Sequence, residues 1–287
     1  MLALFLSRLR YNYFAQFCLV VVLAVFLLGI FAPWLTQFDP TVADIRQKYL
    51  PMSEVHWFGT DHLGRDIFAR ILFGIRVTVF YALWAMFITL LIGIVIGMIA
   101  GVFGKKVDEI LMRLCDVMLS FPSEVMILAL VGILGAGIEH ILLAVVLVKW
   151  AWYARMIRGT VIQYMHKNYI RYAQTIGESS YQIIYRHLLP VTAAEIMILG
   201  SADIGAVILL ISALSFLGLG VQAPVPEWGS MLSDAKNIMI LHPEQMLPAG
   251  IAIVLVVVAF NGLGDFLRDV FDPDNRINFT KVKTDEL

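Results

Sequence analysis

The chain has 287 residues, of which 60% are hydrophobic and 15% charged, and its mean hydropathy is +0.83. Soluble domains run at about 45–50% apolar and about 25% charged, so a water-soluble globule would lack the polar surface to cover this excess, and a multi-pass membrane protein is expected. A formal net charge of −1 and a pI near 6.6 leave no basic field for nucleic acid.

Arg8 and Arg10 precede an apolar run, as in a signal sequence. The run from Phe17 to Leu35 is nevertheless long enough to cross a bilayer and shows no A-x-A site, so a retained first membrane helix is expected at about 16–35. Cys18 in this run and Cys115 further on fit no disulfide framework or zinc ribbon and read as small buried hydrophobes. Residues 36–76 contain Pro40, Pro51 and the string Gly59-Thr60-Asp61-His62-Leu63-Gly64-Arg65-Asp66. After Asp66, Ile67, Ile71 and Ile75 recur at helical spacing, which predicts a helix lying on the membrane surface. His56, His62, Met52, Glu54 and Asp61 match no strong metal-ligand spacing; Asp61 and His62 are expected to hold the loop in shape beside Gly64 and Arg65, with no metal.

Further apolar spans are expected at 77–102, 110–134, 140–158, 191–217 and 246–265. In the first of these, Gly93, Gly97 and Gly101 share one helical face and predict a seam where a neighbouring helix approaches closely. Spans three and four form a hairpin turning near Gly135-Ala136-Gly137. Counted from that turn at about 1.5 Å per residue, Glu124 and Lys149 fall at matching depth, roughly 18–20 Å away. Buried ionisable groups are costly and mark function, so Glu124 and Lys149 are expected to form an ion pair. The alternatives are that each faces a watery pore, or that Lys149 snorkels toward the interface. Asp203, near the middle of span five, is expected to line the pathway and suit a cation, or else to be satisfied by neighbouring hydroxyls or backbone.

Between spans four and five the loop 159–190 reads as two short amphipathic helices with a turn near Gly177, ended by Pro190, which opens the next span. Small Ala173 and Gly177 leave a surface for another protein, although a solvated connector fits the residues equally. Residues 218–245 are rich in glycine and proline turns. With the N-terminus inside, fourteen Lys and Arg residues (Arg8, Arg10, Lys105, Lys106, Arg113, Arg155, Arg158, Lys167, Arg171, Arg186, Arg268, Arg276, Lys281 and Lys283) lie on the cytoplasmic side. Six (Arg46, Lys48, Arg65, Arg70, Arg76 and Lys236) lie outside. That asymmetry favours both termini inside. The final Thr284-Asp285-Glu286-Leu287 lacks the Lys or His of a retrieval tail. The fold expected is all-α with six transmembrane helices. It divides into an N-terminal membrane helix with an external segment (1–76), a five-helix core with loop 159–190 (77–267) and a cytoplasmic tail (268–287).

Three stretches carry a resemblance. Loop residues Arg171-Tyr172-Ala173, Gly177 and His187-Leu188-Leu189-Pro190 occupy the positions of the coupling motif of ATP-binding-cassette importer permeases (E-A-A, three residues, Gly, nine residues, I-x-L-P). Ala173, Gly177, Leu189 and Pro190 match it; Arg171, Tyr172 and His187 depart. His56-Trp57-Phe58 through Asp66, and Ser215-Phe216-Leu217-Gly218-Leu219-Gly220 with Pro226-Glu227-Trp228-Gly229, are similar to the two external signatures of the dipeptide, oligopeptide and nickel permeases. With Gly264-Asp265-Phe266-Leu267-Arg268-Asp269, the resemblance covers nearly the whole chain and is to the C-type subunit. Lys149 to Met156 and Ala202-Asp203-Ile204-Gly205 resemble the nickel and metal-chelate branch most, with the dipeptide branch as the alternative.

The resemblance implies a type I importer permease core in a bacterial cytoplasmic membrane. It would pair with a B-type permease, dock two ATPases that carry ATP and magnesium, receive cargo from an extracytoplasmic solute-binding protein, and bind no cofactor of its own. Nothing in the residues suggests an enzyme. Ser120, Ser123, Ser201 and Ser212 have no histidine near their depth for a hydrolase. Gly104-Lys105 has Ile99 and Lys106 where a phosphate loop needs glycine and Ser or Thr. An autonomous channel would not need the coupling loop.

Overall fold

A computed structural model describes residues 2–271; Arg276, Lys281, Lys283 and the final Thr284–Leu287 lie outside the described residues. Helix follows helix throughout: α1 (Leu2–Leu9), α2 (Tyr13–Leu35), α3 (Ile67–Phe103), α4 (Lys105–Leu119), α5 (Ser123–Leu134), α6 (Ile138–Met165), α7 (Asn168–Thr175), α8 (Ser180–Phe216), α9 (Trp228–Lys236) and α10 (Pro243–Phe271). Among the described residues the sheet content is one antiparallel bridge, Thr60 to Asp66. Helices α2, α3, α6, α8 and α10 are each long and apolar enough to cross a membrane; α4 and α5 make a sixth crossing if the bent pair counts as one. Apolar side chains all round such helices leave the backbone to satisfy its own hydrogen bonds, which is the arrangement a lipid environment demands.

The third expected span is not continuous. α4 and α5 meet at 78° across Ser120–Pro122. Pro122 has no N–H to donate and disfavours helix in the residue before it, so the run from 110 to 134 breaks there. The expected surface helix is also corrected. Residues 67–75 are the first turns of α3, and Ile67, Leu72 and Ile75 are buried within the protein. α3 runs from this segment into the next span through a π-helical turn at Arg76–Phe80, so residues 67–75 and the span that follows them share one helix.

Chain direction defines two ends. The proximal end holds the start of α2, the end of α3 and α7; the distal end holds residues 36–66 and 217–242. The core runs between them, with α6 at its centre packed along α3. The expected glycine seam makes that contact. A Cβ on Gly93 would stand 2.6 Å from Tyr153 Cβ, one on Gly97 2.7 Å from the Ala154 carbonyl oxygen, and one on Gly101 2.5 Å from Val161 Cγ1. Cys18 and Cys115 are fully buried, as expected of small apolar fillers.

Candidate functional site

At the distal end the family-like strings fold into a knot of buried charge. Asp61 accepts from the backbone N–H groups of Leu63 (2.9 Å) and Arg65 (3.0 Å) and from Arg65 Nε (2.7 Å). Arg70 Nε stands 3.6 Å from the same carboxylate, and Arg65 Nη2 reaches Asp234 on α9 at 3.3 Å. Asp66 caps α3 by accepting from Ala69 N at 2.6 Å, and its other oxygen meets His56 Nδ1 at 2.9 Å. Thr60 Oγ1 donates to the Gln47 carbonyl and accepts from Leu50 N at 2.8 Å; Gln245 Nε2 donates to the Thr60 carbonyl at 3.0 Å. Gly64 has φ +76°, and a Cβ there would lie 1.8 Å from the Asp44 carbonyl oxygen; Gly59 packs against the Leu50 carbonyl in the same way. Asp61 shapes the loop as expected, whereas His62 lies beside it on a small pocket with Asp234. Two of the chain's most costly residues to bury, Arg65 and Arg70, are held there by paired oxygens.

The second string acts as a wedge. Glu227, fully buried, caps α9 by accepting from Ser230 N at 2.7 Å and also accepts from Thr78 Oγ1 at 3.1 Å. Burial pushes its carboxyl above the usual range, against the pull of its N–H and hydroxyl donors. Trp228 Nε1 donates to the Ile71 carbonyl at 3.0 Å, with its ring against Gly74. A Cβ on Gly229 would lie 2.0 Å from the Ser212 carbonyl oxygen. Their part in the packing is not evident from the family-like signature alone. They join α3 to α8, and the signal for this in the sequence is a run of acid, aromatic and glycine preceded by Pro224 and Pro226.

At mid-bundle the expected Glu124–Lys149 pair does not form. Lys149 Nζ on α6 lies 2.7 Å from Asp203 Oδ2 on α8. Tyr153, one helical turn along from Lys149, donates its O–H to the same Asp203 oxygen. Glu124 sits in the first turn of α5, where it accepts from Ser123 Oγ at 2.9 Å. Matching depth requires a straight span, and the 78° break at Pro122 turns Glu124 out of line with Lys149. Lys149 and Asp203 face a cavity of about 440 Å³, also lined by Trp152, Met156, Asp265 and Arg268. Among the described residues no three His, Cys, Asp or Glu side chains converge as metal ligands.

At the proximal end, α7 and the start of α8 form the loop. Its inner face is apolar: Ile170, Ala173, Ile183 and Leu188 are buried. Ala173 therefore packs inward, correcting its expected place on the open surface; Gly177 is exposed, with φ +88° at the turn. Ser179 and Gln182 then form a capping box. The second short helix does not end at Pro190. It continues through a π-helical stretch, Ile183–Leu188, into the membrane as α8. Pro190 lies inside that helix and has no N–H for the i→i−4 ladder; the turn just before it is widened, with Leu189 N–H donating to the Ile184 carbonyl. His187 Nε2 meets Glu178 Oε2 at 2.8 Å, tying the two halves across the turn. Arg171 and Pro190 are exposed and Leu189 is half-buried. The outer face carries Tyr172, Ile176, Tyr181 and Tyr185, each more than half exposed. Four large side chains with apolar bodies left in the open at the tip of a membrane bundle form the kind of patch through which proteins bind one another.

The family described as binding-protein-dependent transport system inner membrane component matches residues 93–277. Residues 1–51 match the N-terminal transmembrane domain of oligopeptide transport permease C. Curated relatives are similar over most of their length. The metal-staphylopine import system permease protein CntC of Staphylococcus aureus (strain NCTC 8325 / PS 47) is 45% identical over 254 residues, 88% of each chain. The nickel transport system permease protein NikC of Escherichia coli (strain K12) is 36% identical over 258 residues, 90% of this chain and 93% of its own. The dipeptide transport system permease protein DppC of Alkalihalophilus pseudofirmus is 38% identical over 267 residues, 93% of this chain and 88% of its own.

Proposed function

The chain belongs to the family of binding-protein-dependent transport inner membrane components, and from that premise we propose that it is the C-type permease subunit of an importer for nickel or another metal in chelated form. It is a multi-pass inner-membrane permease of an ABC importer and not an enzyme; separate ATPase subunits hydrolyse ATP. The observation that carries the mechanical reading is the loop at the proximal end. Its exposed tyrosines are mounted on α8, which runs without a break from the loop to the distal end. A motor that grips Tyr181 and Tyr185 acts directly on the helix bearing Asp203. In this reading the proximal end faces the cytoplasm, with both termini on that side. The loop there docks ATPases that bind ATP and magnesium, a B-type permease completes the pathway, and a solute-binding protein delivers cargo to the distal knot. Closure of the ATPases shifts the balance between outward-open and inward-open states.

The metal reading is supported by the metal-staphylopine and nickel relatives. A peptide cargo is the second reading, favoured by the 38% identity to a dipeptide permease. Deleting the chain and following accumulation of radioactive nickel and of a radioactive dipeptide separates them. Loss of nickel uptake alone supports the first, and loss of dipeptide uptake alone replaces it with the second.

A further inference from the structure

Each charge on a bundle interior is expensive, and a buried ion pair is often no more stable than apolar residues of the same volume. A pair kept on the wall of a cavity therefore calls for a role. Lys149 and Asp203 are 14% and 24% exposed on such a wall, 2.7 Å apart. Buried Tyr153 holds Asp203 by the oxygen that Lys149 also holds, so the carboxylate stays fixed if the ammonium leaves. The ammonium has three N–H donors on a flexible stem and can turn toward a guest. Asp265 and Arg268 line the same cavity, so the wall carries two cations and two anions that sum to zero. A bare divalent ion gains little from carboxylates already matched by cations, and no metal-ligand cluster occurs among the described residues. A guest that brings both signs of charge on a small frame gains at each end, and the indole of Trp152 offers it an apolar face.

Resting on the permease reading above, we propose that Lys149 and Asp203 are the cargo-recognition pair of this subunit, and that the cargo is an α-amino-carboxylate. The guest's carboxylate exchanges onto Lys149, while its amino group, or the metal that the amine ligates, exchanges onto Asp203. One ion pair becomes two, so neither wall charge is bare during passage. A free peptide and an amino-acid metal chelate share this chemistry.

The test uses the assembled importer, with partner permease, ATPases and solute-binding protein, in proteoliposomes. Three probes are supplied at saturating binding protein: radioactive nickel alone, nickel premixed with excess histidine, and radiolabelled dialanine. The wild type should accumulate nickel–histidine or dialanine, which also identifies the source as chelate or peptide. Lys149→Gln should lower that uptake about tenfold or more, and Lys149→Arg should restore most of it. The double variant Lys149→Gln with Asp203→Asn leaves no charge unpaired and should remain as low as Lys149→Gln. The proposal is overturned if the double variant returns to wild-type uptake, since the pair is then only structural. It is equally overturned if wild type carries nickel alone in preference to both other probes, carries neither of those two, or if Lys149→Gln loses the partner permease on purification. Failure of the wild-type chain to copurify with any ATPase would instead sink the permease reading.

Discussion

Glu227 at the head of α9 accepts a hydrogen bond from Thr78 Oγ1 on α3 at 3.1 Å, across 149 residues of sequence. The same hydroxyl accepts from the Trp228 backbone N–H at 3.2 Å, so acid, hydroxyl and amide form one buried chain. Burial raises the Glu227 carboxyl above its unfolded value. A raised acid favours the folded state when protonated: its contribution is fully present below the unfolded pKa and is lost as pH rises through the folded one. The melting temperature of the detergent-purified protein should therefore fall with rising pH above about pH 4, and Glu227→Gln should flatten that slope. Equal slopes in the two proteins would contradict this account.

Lys149 and Asp203 should be strongly coupled in stability. Removing one charge leaves the other unpaired inside the bundle, at a cost of about 3–5 kcal/mol. Replacing both, as Lys149→Met with Asp203→Asn, should cost much less than the sum of the singles. Thermal unfolding of the four proteins gives the coupling directly; additive losses would show that the 2.7 Å contact contributes little.

The seam between α3 and α6 should tolerate no added side chain. Gly97→Leu places atoms where the Ala154 carbonyl stands 2.7 Å from an added Cβ, and the helices must part. Gly132 on α5 has nothing within 4 Å of its own added Cβ. Gly132→Ala should leave folded yield unchanged while Gly97→Leu abolishes most of it, as size-exclusion profiles in detergent will show.

On the loop, inner and outer faces should separate by readout. Ile170 is fully buried, and Ile170→Ser should lower the melting temperature, by about 2–5 kcal/mol of lost packing and cavity. Tyr185 is 75% exposed, and Tyr185→Ser should leave melting unchanged but weaken copurification of the ATPase. Loss of stability without loss of copurification in Tyr185→Ser would remove that tyrosine from the docking surface.

Much of this architecture was legible in the order of residues, because hydropathy over about twenty positions reports directly on bilayer crossing. The Gly93, Gly97 and Gly101 spacing gave the tightest helix contact in advance, since missing side chains leave only one arrangement for the neighbour. The partner of Lys149 was not legible. Residue counts match its depth to Glu124 only along a straight hairpin, and the 78° turn at Pro122 puts Glu124 in a first helical turn instead. Asp203 lies on a helix reached through the whole loop, so no count along the chain relates it to Lys149. The proline between Ser120 and Ser123 was the available sign of the break. Residues 67–75 misled in another way: one apolar stripe fits a lipid headgroup layer and a protein neighbour equally, and here α2 and α10 supply the neighbour.

α8 spans Ser180–Phe216, about 55 Å of continuous helix at 1.5 Å per residue. A crowbar of that length needs no relay of side-chain rearrangements to carry a push from tip to tip. Pivoted at its middle, a swing of about 5° displaces each extremity by roughly 2.4 Å in opposite senses. Asp203 stands only five residues past that midpoint, so the same swing moves it by about 0.7 Å: a stroke at Tyr181 is geared down to a fine adjustment of the 2.7 Å contact with Lys149, while the far tip takes the full travel in the opposite sense.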